Sequence, residues 1–452
     1  MLTRLFLEAA TAVTRRLESA GLPLTATEAR EYVEIFRSDN GQGWSYGEED
    51  RDVNILRSYE HDLDAACPLL DDAAQARLRD CAARMAQGMD TAPFDAFLSP
   101  GRDLLAARND RLPDQEFADD PAEWLARHVL TAALREHLGA LPSVASAGPA
   151  EAEAFSTEVL EVSSAEAQTG VVRVFLDGLD LAADEYTEGA VTLRRITADE
   201  MIPFFRGSGW DEDDPPETVL QLPVTSPRGQ TPQPANGAAQ ALVTALQLHG
   251  YRCAGPSARQ DAAPSWVSGG WQPLSLIVPA YDDGWRTRHT KHHCIDAEGF
   301  RTVVATSRRL GRQDLIRPQS SRDLALHRFS LGLSRDHDSN ADAILDFTIA
   351  LEALLLPYDA NARRGDLSYR FRMHGAHYLA PAPDARRDTA KSLTRIYETR
   401  SRLVHGGKYP AEDETAEVRD HAYELARRGL LRAVTEGFPT AEAFNGMVLG
   451  SS

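Results

Sequence analysis

Apolar residues recur at three-and-four spacing through residues 1–142, give way to short alternating runs between 153 and 320, and return to three-and-four spacing from 321 onward. In the first stretch, "LFLEAATAVTRRLESAG" predicts an amphipathic helix ending at Gly21. "DDAAQARLRDCAARMAQGM" predicts a second helix. "DPAEWLARHVLTAALREHLG" predicts a third, entered through Asp120 and Pro121 and left at Gly139. "DNGQGWSYGEED", residues 39–50, lacks the Lys-Ser/Thr ending of a phosphate-binding loop and reads as a turn. "GALPSVASAGPAEA", residues 139–152, is small and contains proline, which predicts a linker.

Beyond it, "STEVLEVSS", "GVVRVFLDGLDL", "AVTLRRIT", "WQPLSLIVPAY" and "FRTVVATSR" read as strands, with "NGAAQALVTALQLHG" as an intervening helix. Two loops, "GSGWDEDDPPE" and "TSPRGQTPQPANG", are expected to be exposed, and the acidic run at 211–214 to be solvated.

From residue 321 five helices follow with short connections. "NADAILDFTIALEALLLP" has Asn340 as its expected N-cap and Ile344, Phe347, Leu351 and Leu354 as its apolar stripe. "GDLSYRFRMHGAHYLAP" places Leu367, Phe371, His374 and Tyr378 on one face, which makes His374 a core histidine. "DARRDTAKSLTRIYETRSRLVH" stops at Gly406, a suitable left-handed cap. The expected architecture is multidomain α+β: a helical N-terminal region (1–142), a mixed α/β central domain (153–320) and a C-terminal all-α antiparallel bundle (321–438).

Composition narrows the picture. No apolar run reaches the length of a membrane span. The apolar start of the chain is soon interrupted by Glu8, Arg15 and Arg16, so it is not read as a leader. Four scattered cysteines show no paired framework, and a reducing cytoplasm is the expected location. The net charge is −20 over 452 residues, unevenly placed. Residues 1–320 carry 30 basic against 49 acidic side chains, whereas 321–432 carry 18 against 17 with six histidines besides. The C-terminal region is therefore the one part where a polyanion meets no overall repulsion.

Within that region "YETRSRLVHGG" raises a chemical question. Leu393, Tyr397, Arg400 and Val404 follow the spacing of one helix face, which puts a guanidinium where an apolar group is expected. Five residues on stands His405. In one reading Arg400 pairs with Glu352 on a neighbouring helix and His405 caps the helix; in the other the two carry chemistry.

"DFTIALEALLLP", "GDLSYRFRMHGAHYLA" and "IYETRSRLVHGG", in that order and spacing, resemble the HEPN superfamily, and within it the Apea-like group. The resemblance covers about a quarter of the chain. It implies a metal-independent endoribonuclease acting in defence against phage or stress, with Arg400 and His405 catalytic at a homodimer interface. Glu352 and Ser401 would support them, and Arg402, Lys408 and Tyr409 are candidates for RNA contact. Ser401 stands where many active members have Asn, Asp or His. Gly407 stands where nucleotidylated members of the superfamily have tyrosine, so that mode of regulation is not expected.

Such a site is chemically reasonable. RNA supplies its own nucleophile, the 2′-hydroxyl, leaving proton transfer for a histidine and charge stabilisation for an arginine. No cofactor is needed. Residues 1–320 would sense a trigger or restrain the bundle. A non-catalytic bundle that binds RNA, a nucleotide or a partner protein remains the alternative. The other candidate chemistry is "RHTKHHC", in which His289, His292 and Cys294, beside His293, could hold zinc with a further ligand such as Cys253. Its spacing matches no standard finger, and the expectation is no metal.

Overall fold

The computed structural model describes residues 1–38, 41–54, 56, 72–86, 122, 126, 130–164, 167–198, 200–201, 217–227, 236–251, 254–263, 272–273, 293–311, 319–335, 339–357, 367–380, 382–405 and 411–449. Helices predominate among them, with one larger antiparallel sheet.

Helix α1 (Leu2–Ser19) buries Leu2, Leu5, Phe6, Ala9, Ala10, Val13 and Leu17, the stripe its sequence predicts. Strands β1 (Thr25–Ser38) and β2 (Gly41–Asn54) then pair antiparallel, with Ser38 opposite Gly41. Residues 41–50, expected as a turn, are thus strand. The overlooked signal was Asp39-Asn40, turn-forming residue types between the paired Ser38 and Gly41. Asn54 is buried and donates to the carbonyls of Leu138 and Leu141, both at 2.9 Å. It fastens the end of the hairpin to α3 (Ala132–Ala140), which follows α2 (Asp72–Ala86).

The expected linker is folded structure. A short 3-10 turn at Val144–Ser146 buries Val144, and α4 (Pro149–Ser164) begins immediately after. "STEVLEVSS" therefore lies in a helix, not a strand. Ala152, Phe155 and Val159 are buried at helical spacing, Pro149 takes the first helical position, and the Glu151 carboxylate accepts from the Gly148 N–H at 3.0 Å. The Phe155 ring stacks on Phe6 with centroids 5.2 Å apart, closing a core formed by residues of the first 162.

The sheet comes next: β3 (Ala167–Asp177), the short β4 (Leu179–Leu181), β5 (Glu185–Glu188), β6 (Val191–Arg195) and β7 (Thr218–Pro227), then α5 (Asn236–Leu248), β8 (Ala254–Ala263) and β9 (Gln272–Pro273). Its order is β5-β6-β7-β3-β8-β9 with antiparallel pairing throughout, while β4 pairs in parallel with β10 (His293–Ile295). Val172, Val174 and Leu176 alternate inward from the central strand. "FRTVVATSR" belongs to a helix, α6 (Ala297–Leu310), against the strand expected from its β-branched residues. Asp296 caps it by accepting from the Gly299 N–H at 2.8 Å. Phe300, Val303, Val304 and Leu310 turn to the core.

The C-terminal helices fall where the sequence puts them: α7 (Ser321–Arg335), α8 (Asn340–Leu355), α9 (Leu367–Leu379), α10 (Pro383–His405) and α11 (Glu412–Glu436), followed by a sixth, α12 (Ala441–Leu449). The N-cap of α8 is Ser339, whose hydroxyl accepts from the Asp342 N–H, not Asn340. Asp346, almost fully enclosed, accepts from Arg328 at 2.8 Å and Arg335 at 2.9 Å and ties α8 to α7. The two helices pack closely, because a Cβ at Gly332 would come within 2.6 Å of the Phe347 ring.

One core runs from Val172 of the sheet to Phe444 of α12 without a break at residue 320. Two arginines of the bundle reach across to the ends of central helices. Arg322 donates to the carbonyls of Arg309 and Leu310, and Arg427 to that of Leu248. Cations at helix C-termini are favourable in themselves. The bundle and the sheet are thereby held as one packed unit.

Candidate functional site

Helix α10 supplies the residues singled out by the sequence. Its fully buried face is Leu393, Ile396 and Thr399, with Tyr397 and Leu403 partly covered. Val404, expected on the apolar stripe, is 50% exposed. Arg400, one position past Thr399, lies at the margin of the buried face. Its guanidinium Nη2 is 4.0 Å from Glu352 of α8, with about a quarter of each side chain accessible, 27% and 25%. At that distance the contact is Coulombic, not a hydrogen bond. The Arg400 Nε is enclosed and has no hydrogen-bond partner. Burial pushes the Glu352 carboxyl above the ordinary carboxylate range, with Arg400 only partly opposing the shift. The structure thus places Arg400 and Glu352 face to face as the sequence expected, but loosely and near the surface.

Helix α10 remains helical through His405, which is exposed in its last turn. Five residues of unbroken helix separate Arg400 from His405 by about 140° and ~7.5 Å of rise, so within one chain their side chains diverge. Ser401 is half-buried. Arg402, a candidate for RNA contact, is engaged within the fold. It donates to Glu414 at 3.0 Å and to the Thr399 hydroxyl at 3.2 Å, fastening the end of α10 to the start of α11. Lys408 and Tyr409 lie outside the described residues.

The opposite end of the neighbouring helix comes close to this region. The Phe371 ring of α9 lies 5.6 Å from that of Tyr397, so the start of α9 runs beside the last turns of α10. Leu367 and Tyr369 are there 52% and 50% exposed. Leu367 was expected to face inward with Phe371; it turns outward, and with Tyr369 and Val404 it puts large apolar groups on the surface at this end of the helix pair. That was missed because periodicity locates a stripe but not where along its length the covering helix stops.

His374 of α9 is structural. It donates through Nδ1 to the Leu355 carbonyl at 2.8 Å and stacks on Phe444 at 4.5 Å between centroids. Burial lowers its pKa. Of the alternative metal set, His289, His292 and Cys253 lie outside the described residues, and Cys294 is exposed on β10. Among the described residues no three potential ligands gather. The acidic run at 211–214 is also outside them. No helix among the described residues is long and apolar enough to cross a membrane. Comparison of the chain with protein-family models, curated proteins and solved structures finds no match.

Proposed function

We propose that the chain is a metal-independent endoribonuclease of the HEPN type, a defence or stress effector whose catalytic groups are Arg400 and His405 drawn from two copies of the chain. The observation that carries the reading is the course of α10: helical to its last turn, with Arg400 set against Glu352 and His405 turned to solvent. Paired about a two-fold axis, two such helices bring two guanidiniums and two imidazoles around one phosphate. The exposed Leu367, Tyr369 and Val404 are apolar surface for that contact. In this arrangement Arg400 holds the phosphate as negative charge builds on it. His405 moves the proton of the attacking 2′-hydroxyl or of the leaving 5′-oxygen. Glu352 orients the guanidinium, and residues 1–320 control access or assembly.

A second reading, a non-catalytic bundle that binds RNA or a partner, is favoured by the internal engagement of Arg402 and the half-buried position of Arg400. One experiment separates the two. Full-length Arg400→Ala and His405→Ala proteins are assayed for RNA cleavage in EDTA, alone and after mixing. Each alone is expected to be inactive and folded, and the mixture to recover part of the wild-type activity. Wild-type protein that binds RNA without cleaving it, or single variants that cleave undiminished, would overturn the catalytic reading.

A further inference from the structure

Helix α12 is joined to the bundle through a break in the chain direction and a single buried ring. Gly437, at φ 101°, ends α11 in a conformation that favours glycine, and Pro439 follows. Thr440 then starts the new helix, its hydroxyl accepting from the Ala443 N–H at 3.1 Å. The helix thus carries its own cap. Phe444 is the one residue of α12 that is buried, while Met447 and Leu449 are exposed apolar groups. A helix that buries one side chain has little to hold it in place. The rest of the bundle core does not lean on that ring. Phe329, Phe347 and Tyr423 pack on one another between α7, α8 and α11, with centroids 5.8 to 6.0 Å apart.

What the ring covers is titratable. Phe444 lies flat on His374, the planes 4° from parallel, and edge-on to Tyr378 at 5.7 Å. His374 and Tyr378 are one turn apart on α9 and share the face that α12 closes. The enclosed imidazole is 4% exposed and bonded through Nδ1 to the Leu355 carbonyl of α8. Arg370 and His377 of α9 stand beside it. His377 in turn faces Arg386 of α10 and the Met447 carbonyl of α12. From α11, Arg432 and Glu436 act on Tyr378. Glu442, the ionisable side chain of α12, is exposed. Among the described residues no carboxylate acts on either histidine. A phenyl face attracts a cation. Burial outweighs that attraction and lowers the His374 pKa, against the Leu355 bond and with Arg370 and His377 assisting. Burial lowers that of His377 as well.

We propose that α12 is a detachable strap, held over α9 by the Phe444 ring and released when His374 takes up a proton. The released form lets His374 meet water, so it binds the proton more readily than the docked form. Docking is at full strength above the free histidine value of about 6.5 and weakens as pH falls through the lower, docked value. Release uncovers the His374 and Tyr378 rings and leaves α7, α8 and α11 packed. The assignment does not depend on the Arg400 and His405 reading.

Hydrogen exchange of the full chain at about pH 7.5 and about pH 5, each peptide corrected for its intrinsic rate, tests it. Protection across α12 is expected to fall by at least about threefold at the lower pH while that of α8 and α11 holds. His374→Gln keeps a donor for the Leu355 carbonyl but does not titrate, and it is expected to lose most of this fall. Phe444→Ala provides the second variant. It should strip α12 of protection at both pH values and leave α8 and α11 protected. Equal protection of α12 at the two pH values in the wild type overturns the proposal. So does a fall shared equally by α8 and α11, or an undiminished fall in His374→Gln. A Phe444→Ala protein that keeps α12 protected, or loses the bundle with it, overturns the strap itself.

Discussion

Arg400 and Glu352 are partners that neither hydrogen-bond nor fully escape water. At 4.0 Å and a quarter exposed, the pair resembles a surface ion pair more than a core one. A double-mutant cycle through Arg400→Ala and Glu352→Ala is therefore expected to show coupling below about 1 kcal/mol in thermal or urea unfolding. A larger value would mean that the two close together in solution. Glu352 pays a desolvation cost that its partner does not fully offset, as expected for a carboxylate retained for orientation more than for stability. His374 behaves differently. Its pKa is lowered in the fold, so the unfolded chain takes up the proton first. The stability it contributes is complete above the unfolded value near 6.5 and is lost as pH falls through the lower, folded value. The melting temperature should fall over that acidic interval, and His374→Asn should flatten the fall while lowering stability at neutral pH. An unchanged acid slope in the variant would remove His374 from the account.

At the scale of elements, legibility followed the number of local signals that agreed. Helix α8 had a regular stripe, a polar start and Pro357 after its end, and even there the cap was misplaced by one residue. Ser339→Ala should cost about 1 kcal/mol and Ser339→Asp should restore it, whereas Asn340→Ala leaves the cap and removes instead the acceptor of Arg419 at 2.7 Å; a silent Ser339→Ala would mean that the hydroxyl does not cap the helix. Helices α4 and α6 were misread because β-branched residues outweighed quieter evidence. Glu151 reaching back to Gly148, and Asp296 to Gly299, mark helix starts as clearly as any stripe. The long hairpin was hidden by its glycines and charges, which make β2 a poor strand by composition; only the turn-forming Asp39-Asn40 pointed to it. In α10 the sequence located Arg400 and His405 but not the true buried face. Thr399, fully enclosed, was overlooked because a threonine does not register as apolar.

For the whole molecule, the packing divides after α4, a little beyond the first expected boundary at 142–153, and is continuous across the second, near residue 320. The first core draws on residues 2–162 and the second on 172–444. Calorimetry should resolve two unfolding transitions. Phe155→Ala, which removes a ring stacked on Phe6, should destabilise the first by about 3–5 kcal/mol and leave the second in place. A single transition shifted as a whole would show that the two cores unfold cooperatively. The shared second core also bears on how residues 1–320 could restrain the bundle. Part of that segment, from Val172 to Leu310, packs directly with the bundle, so removing it would uncover the faces of α7 and α11 that α5 and α6 cover. If residues 1–320 control the proposed site, this shared packing favours control through assembly or access over release of a free bundle.

The distance between the first and last members of that second core has a consequence during synthesis. Protein domains tend to close from the N-terminus as the chain leaves the ribosome. The first core is complete once residue 162 has emerged, so α1 and α4 can join early. The second cannot: Leu430 and Ala433 of α11 and Phe444 of α12 are made long after Val172 and its neighbours in the sheet. His374 has no ring to stack on until α12 is made, and Arg402 no Glu414 to hold it until α11 begins. Helix α10 thus emerges before the elements that secure it. A chain interrupted between α10 and α12 would carry every residue of the proposed catalytic pair without a finished fold to hold them.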